Sequence, residues 1–234
     1  MSLVQESGVN AYERMRGRPP IPSDHLPAVF RDFFEQIGTA GVVEVSGPPG
    51  CGKTLLVLRL AEAAAESGQV IIFNCNGDIS SQVLASRLSP EKARNVYLVD
   101  VFDWTTMQLE LALLPEVLSS HESRGANLVV FDGLSNPFFY HERKRCEDLQ
   151  ISHDRHMSQL LQKVASILEP YKLLCLATTM STASDMHQTS SCKGNSSRIA
   201  MTNSNGLITA VFENSISSLT KNFPMMELLC NANL

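Results

Sequence analysis

Residues 47–54 read Gly-Pro-Pro-Gly-Cys-Gly-Lys-Thr and fit the spacing G-x-x-x-x-G-K-[ST] at every position. Glycines so spaced let successive backbone N–H groups turn inward around phosphate oxygens, and the amino end of a following helix adds a favourable dipole. Gly47, Pro48, Pro49, Gly50, Cys51 and Gly52 would form that cradle, Lys53 would reach the β- and γ-phosphates of ATP, and Thr54 would offer its hydroxyl to Mg2+. The cation needs an acidic partner at the end of a buried strand. "LVVFDG", residues 128–133, supplies Asp132, whose carboxylate can bind the Mg2+ water shell. A strand ending in Asp-Gly is also a common turn, and it is the glycine loop upstream that favours the metal role.

These groups act together only if strands and helices bring them to one edge. Val42–Val45 reads as the strand before the loop, and Thr54–Ser67 as the helix after it, ended by Gly68. Further strands are expected at Val70–Phe73, Val96–Val99, Leu128–Phe131 and Leu173–Ala177. Helices are expected at Ile79–Leu88, Thr105–Ser119 and Asp154–Leu168. An earlier helix, capped by Ser23 or Asp24, would run through Phe30, Phe33, Phe34 and Ile37 and close at Gly38. "RIAMTNSNGLITAVFE" reads as a hairpin about an Asn-Gly turn. Strand–helix alternation implies an α/β fold: a mostly parallel sheet with helices on both faces, finished by a carboxy-terminal hairpin. Residues 1–22, polar and broken by "RGRPPIP", read as a flexible arm, and residues 23–234 as one core.

The chain has 234 residues, enough for a sizeable single core, with 44% hydrophobic and 18% charged residues as in ordinary soluble globular proteins. Its formal charge is −5, from 19 basic and 24 acidic side chains, so no global basic field advertises nucleic acid. The six cysteines form no C-x-x-C pair and read as residues of a reducing compartment, with Cys75 and Cys175 in or beside apolar strands. The first residues lack the apolar stretch of a secretory signal, and no run approaches the length of a membrane span. An intracellular protein without membrane contact is the expectation.

The order and spacing of these segments resemble the core of the RecA-type recombinases, in particular a short paralogue of the eukaryotic strand-exchange enzymes. "FFEQIGTAGVVEVSGPPGCGKT" is similar to the family's entry helix and cradle, and "NLVVFDGLSNPFF" to its acidic strand. "DRHMSQLLQKVASILEPYKLLCLATTM" is similar to the next helix and the strand that carries a polar sensor, and "RIAMTNSNGLITAVFENS" to the closing hairpin. The resemblance implies a RecA-like P-loop ATPase core, and it begins near residue 24, without the helical domain that precedes the core in full recombinases. Three departures stand out. The position where the family carries a water-activating acid matches Asn76, and an amide orients water but cannot take its proton. Asp78, two residues on, is the alternative acid. The sensor positions match Thr179 and Met180, where the family has Asn-Gln, and the later DNA loop shortens to "STASDMHQTSSCKGNSS".

The family's first DNA-binding loop would fall on "YHERKRCEDLQ", where Arg143, Lys144 and Arg145 can touch phosphates and Phe138, Phe139 and Tyr140 can stack on bases. Glu142, Glu147 and Asp148 leave open a solvated charge cluster instead. Lys193 and Arg198 belong to the later loop. The resemblance thus implies a nuclear, ATP-binding mediator of homologous recombination and DNA repair. It would work with a recombinase or a second paralogue on single-stranded DNA, and hydrolyse ATP weakly or only with its partner. The alternative is an enzyme in its own right, a DNA-stimulated ATPase or a small P-loop kinase.

Overall fold

A computed structural model describes residues 28–37, 41–120, 126–136, 153–180, 196–204, 207–213 and 218–224. In chain order the elements are α1 (Ala28–Ile37), β1 (Gly41–Gly47), α2 (Lys53–Ala64), β2 (Gln69–Asn74), α3 (Ser81–Arg87), α4 (Pro90–Ala93) and β3 (Val96–Asp100). They continue with α5 (Trp104–Ser120), β4 (Ala126–Asp132), α6 (His153–Leu168), β5 (Leu174–Met180), β6 (Ser196–Ser204), β7 (Leu207–Glu213) and β8 (Ser218–Pro224).

The eight strands among the described residues form one sheet in the order β3-β2-β4-β5-β1-β6-β7-β8. Pairing is parallel from β3 across to β6 and antiparallel from β6 to β8. The fold is therefore α/β, with a mostly parallel sheet and an antiparallel carboxy-terminal hairpin. β2 and β4 are buried at every position, as strands covered on both faces must be. Alternate side chains sort the core into two layers. Val70, Ile72, Leu128 and Val130 pack with α1, α2 and α3, whereas Ile71, Phe73, Val129 and Phe131 pack with α5 and α6. Phe73 and Phe131 stack at 4.6 Å, an arrangement worth about 0.5–1.5 kcal/mol beyond the area it buries. On the opposite face Phe30 and Phe33 of α1 lie 5.5 and 5.0 Å from Phe212, which ties α1 to β7.

The parallel strands β1, β2, β4 and β5 all end at one edge, the place where open α/β sheets take ligands. Two strands go beyond the sequence expectation. β6 is more than one arm of a hairpin, because it also pairs parallel with β1, Ser46 opposite Ala200. β8 extends the hairpin by a further strand. The short helix α4 is capped by Ser89, whose Oγ accepts from Lys92 N at 3.4 Å. Ser23, Asp24, Gly38 and the Asn205-Gly206 turn lie outside the described residues, as does the arm 1–22. Among the described residues no helix is long and apolar enough to cross a membrane.

Candidate nucleotide-binding site

β1 delivers the glycine loop directly from the middle of the sheet. Gly50 and Gly52 adopt left-handed φ values of 77° and 97°, which a side chain would strain, and Gly52 O then accepts from Leu56 N at 3.0 Å to start α2. Lys53 Nζ donates to the carbonyls of Gly47 at 2.7 Å and Pro48 at 2.9 Å. Both acceptors are neutral, so they hold the ammonium over the loop without cancelling its charge. Cys51 is buried beneath it, its Sγ 3.8 Å from Lys53 Nζ; burial pushes this thiol above its ordinary range while Lys53 pulls against that shift.

Asp132 ends β4 and is fully buried. Thr54 Oγ1 donates toward its Oδ2 at 3.2 Å, and Thr178 Oγ1 donates to its Oδ1 at 2.8 Å. Burial raises the Asp132 carboxyl above the usual carboxylate range; hydrogen bonds from Thr178, Thr54 and Asn76 oppose this, and the charge of Asp78 adds to it. A nearby cation would favour the ionised form. Among the described residues no cluster of three or more His, Cys, Asp or Glu side chains could hold a metal alone. One carboxylate beside one hydroxyl fits a different case, Mg2+ that keeps waters and arrives with phosphates. All the donors are oxygen, as a hard cation requires.

The turn after β2 is held by Asn74. Its side chain is buried, donates to Ile79 O at 2.9 Å and Asp100 Oδ1 at 2.7 Å, and accepts from Gly77 N at 3.1 Å and Ile79 N at 3.4 Å. Those bonds close residues 75–79 into a fixed turn. Asn76 thereby faces the Asp132 carboxyl and also donates to Asp78 Oδ2 at 2.9 Å. Gly133 allows this approach, since a Cβ there would stand 2.8 Å from the Asn76 Cβ. Asp78 is exposed at the same edge.

The end of β5 lies between β1 and β4. Met180, matched above to a sensor position, is 44% exposed there, with its N–H on Ser135 Oγ at 3.2 Å. Thr179 is turned into the sheet and donates to Glu44 Oε1 at 2.8 Å. The residue that meets the acidic group is instead Thr178, which the sequence pattern does not single out. A second residue of this kind is Asn203 of β6, whose Nδ2 reaches Gly50 O at 3.2 Å.

Arg198 corrects the expectation of a DNA contact. It is buried, and its Nε donates to Ser46 Oγ at 2.9 Å, so it holds β6 to β1 inside the sheet and is not presented to a phosphate backbone. Arg143, Lys144, Arg145 and Lys193 lie outside the described residues. Cys75 and Cys175 are free and buried in the core, and burial pushes both thiols up. No protein-family model matches the chain, and a comparison with curated proteins gives no match.

Proposed function

We propose that this chain binds ATP with Mg2+ and works as a RecA-like recombinase paralogue. As such it is a nuclear mediator that stabilises or remodels recombinase filaments on single-stranded DNA with a partner paralogue, in homologous recombination and DNA repair. The observation that carries the nucleotide reading is the convergence of Lys53, Thr54 and Asp132 at the common end of β1 and β4. The recombinase reading rests on the order of segments in the sequence. It is supported by β5 lying between the strand of the glycine loop and the acidic strand, so that one strand end reaches both.

In this reading the backbone N–H groups of Gly50, Cys51, Gly52, Lys53 and Thr54 would bind the phosphates, Pro48 and Pro49 having none to give, and Lys53 leaves its two carbonyls for phosphate oxygens, trading neutral acceptors for charged ones. Mg2+, when bound, neutralises charge on the phosphate oxygens. Thr54 and Asp132 would hold it, and Asn76 would orient a water without accepting its proton. Binding thus dominates and turnover is slow. The nucleotide biases an interface between two states, and its effect equals its differential affinity for them.

The reading as an ATPase in its own right has one observation in its favour: the exposed Asp78 carboxylate, hydrogen-bonded to Asn76, can accept a proton that Asn76 cannot. ATP binding and turnover by the purified chain, alone and with co-purifying partners on single-stranded DNA, separate the two. Tight binding with little turnover by the chain alone is expected; rapid turnover by the isolated chain overturns the mediator reading.

A further inference from the structure

Thr178 lies in β5, the neighbour of β4, is fully buried, and makes two side-chain hydrogen bonds of fixed polarity. Gly133 N donates to its Oγ1 at 2.6 Å, and a backbone N–H can only donate. The single hydroxyl proton is then committed to Asp132 Oδ1, 2.8 Å away. With Oδ1 engaged on the β5 side, Oδ2 is the carboxylate oxygen nearer Thr54, at 3.2 Å against 3.5 Å for Oδ1. The backbone on either side is stitched as well, Leu134 N to Thr178 O at 2.9 Å and Met180 N to Ser135 Oγ at 3.2 Å. The β-branch of threonine limits rotation about χ1, whereas the terminal torsion of an aspartate is broad. The rigid partner orients the loose one.

We propose that Thr178 is the positioning residue of the cation site: it turns the Asp132 carboxylate so that Oδ2 faces Thr54, and so sets the affinity for the divalent cation that accompanies the nucleotide. The proposal rests on the nucleotide-binding reading and deepens it. Thr178 acts through Asp132 and does not contact the cation. Outer-shell partners of this kind change metal affinity by about 10- to 100-fold when removed.

The test uses the full chain and a fluorescent ATP analogue, titrated with Mg2+ and separately measured in excess chelator. Thr178→Val keeps the shape and deletes the hydroxyl. Its half-saturating Mg2+ concentration should rise about 10- to 100-fold, with analogue affinity in chelator unchanged, because Lys53 and the glycine loop are untouched. Thr178→Ser should return the Mg2+ dependence to within a few-fold of wild type. A valine variant with wild-type Mg2+ dependence overturns the proposal. So does an equal loss of binding with and without Mg2+, which marks a merely structural role. If the valine variant fails to fold, Thr178→Cys, with its weak S–H donor, serves in its place, and unchanged Mg2+ dependence there is equally fatal. A wild-type chain whose analogue binding ignores Mg2+ is a different failure and overturns the cation site itself.

Discussion

Replacing Asn74 by aspartate exchanges an NH2 group for an oxygen at a position only 2% exposed. Both donated hydrogen bonds vanish, to Ile79 O at 2.9 Å and to Asp100 Oδ1 at 2.7 Å, while the two accepted bonds from Gly77 N and Ile79 N can survive. Asp100 faces solvent, so water relieves part of that new oxygen–oxygen contact, but Ile79 is buried and its carbonyl is left without its donor. A buried polar group left unsatisfied costs about 1–3 kcal/mol, and facing it with a second acceptor adds to that, so a loss of about 2–4 kcal/mol is expected at neutral pH. The new carboxyl would have a folded-state pKa above its unfolded value, because only its protonated form can donate. Stability lost at neutral pH should therefore return as pH falls through that raised pKa. Asn74→Ala, which removes all four bonds, should lose stability without that recovery. Urea unfolding followed by the fluorescence of Trp104 at pH 7.5 and pH 5, each variant against wild type at the same pH, makes the comparison. An aspartate variant within about 0.5 kcal/mol of wild type at pH 7.5, a difference typical of an unconstrained surface site, refutes the reasoning; so does a deficit that grows on acidification.

Gly133→Ala forces a Cβ to 2.8 Å from the Asn76 Cβ at a φ of 82°, and should cost about 1–3 kcal/mol in thermal or urea unfolding; unchanged stability would contradict the close approach. Asn76→Glu restores a proton acceptor beside Asp132 and should raise phosphate release by about 100-fold or more if that group alone is missing. No change would point to Met180 or to a residue supplied by a partner. Replacing Arg143, Lys144 and Arg145 by alanine should weaken binding to single-stranded DNA and flatten its log–log salt dependence by about 0.7 for each phosphate that is no longer neutralised. An unaltered salt slope would remove this cluster from the DNA-binding reading.

The glycine loop and its strand and helix were legible because all their determinants are contiguous. Asp132 stood out only in company: a strand ending in Asp-Gly is common by itself, and it was the glycine loop upstream that drew attention to this acid. What escaped depends on which strands become neighbours. Thr178 reaches Asp132 only because β5 lies beside β4, a juxtaposition across 46 residues that no local pattern encodes. Arg198 sits in a polar stretch that reads as an exposed loop, and its burial follows from β6 pairing with β1 beside Ser46. β8, "SLTKNFP", is too polar for its alternation to stand out, and its strand character comes from its pairing with β7. Asn74 and Asn76 look alike in "FNCNG", yet one is a buried clip and the other faces the acidic group.

Titration calorimetry of ATP with Mg2+ into the wild-type chain and into Lys53→Ala tests the central claim most directly. Wild type is expected to bind, and removing the charge-assisted hydrogen bonds of Lys53 should weaken binding by at least about 10-fold, from the roughly 1.5–3 kcal/mol such bonds contribute. Undiminished binding by Lys53→Ala, or none by a folded wild-type chain, would contradict it.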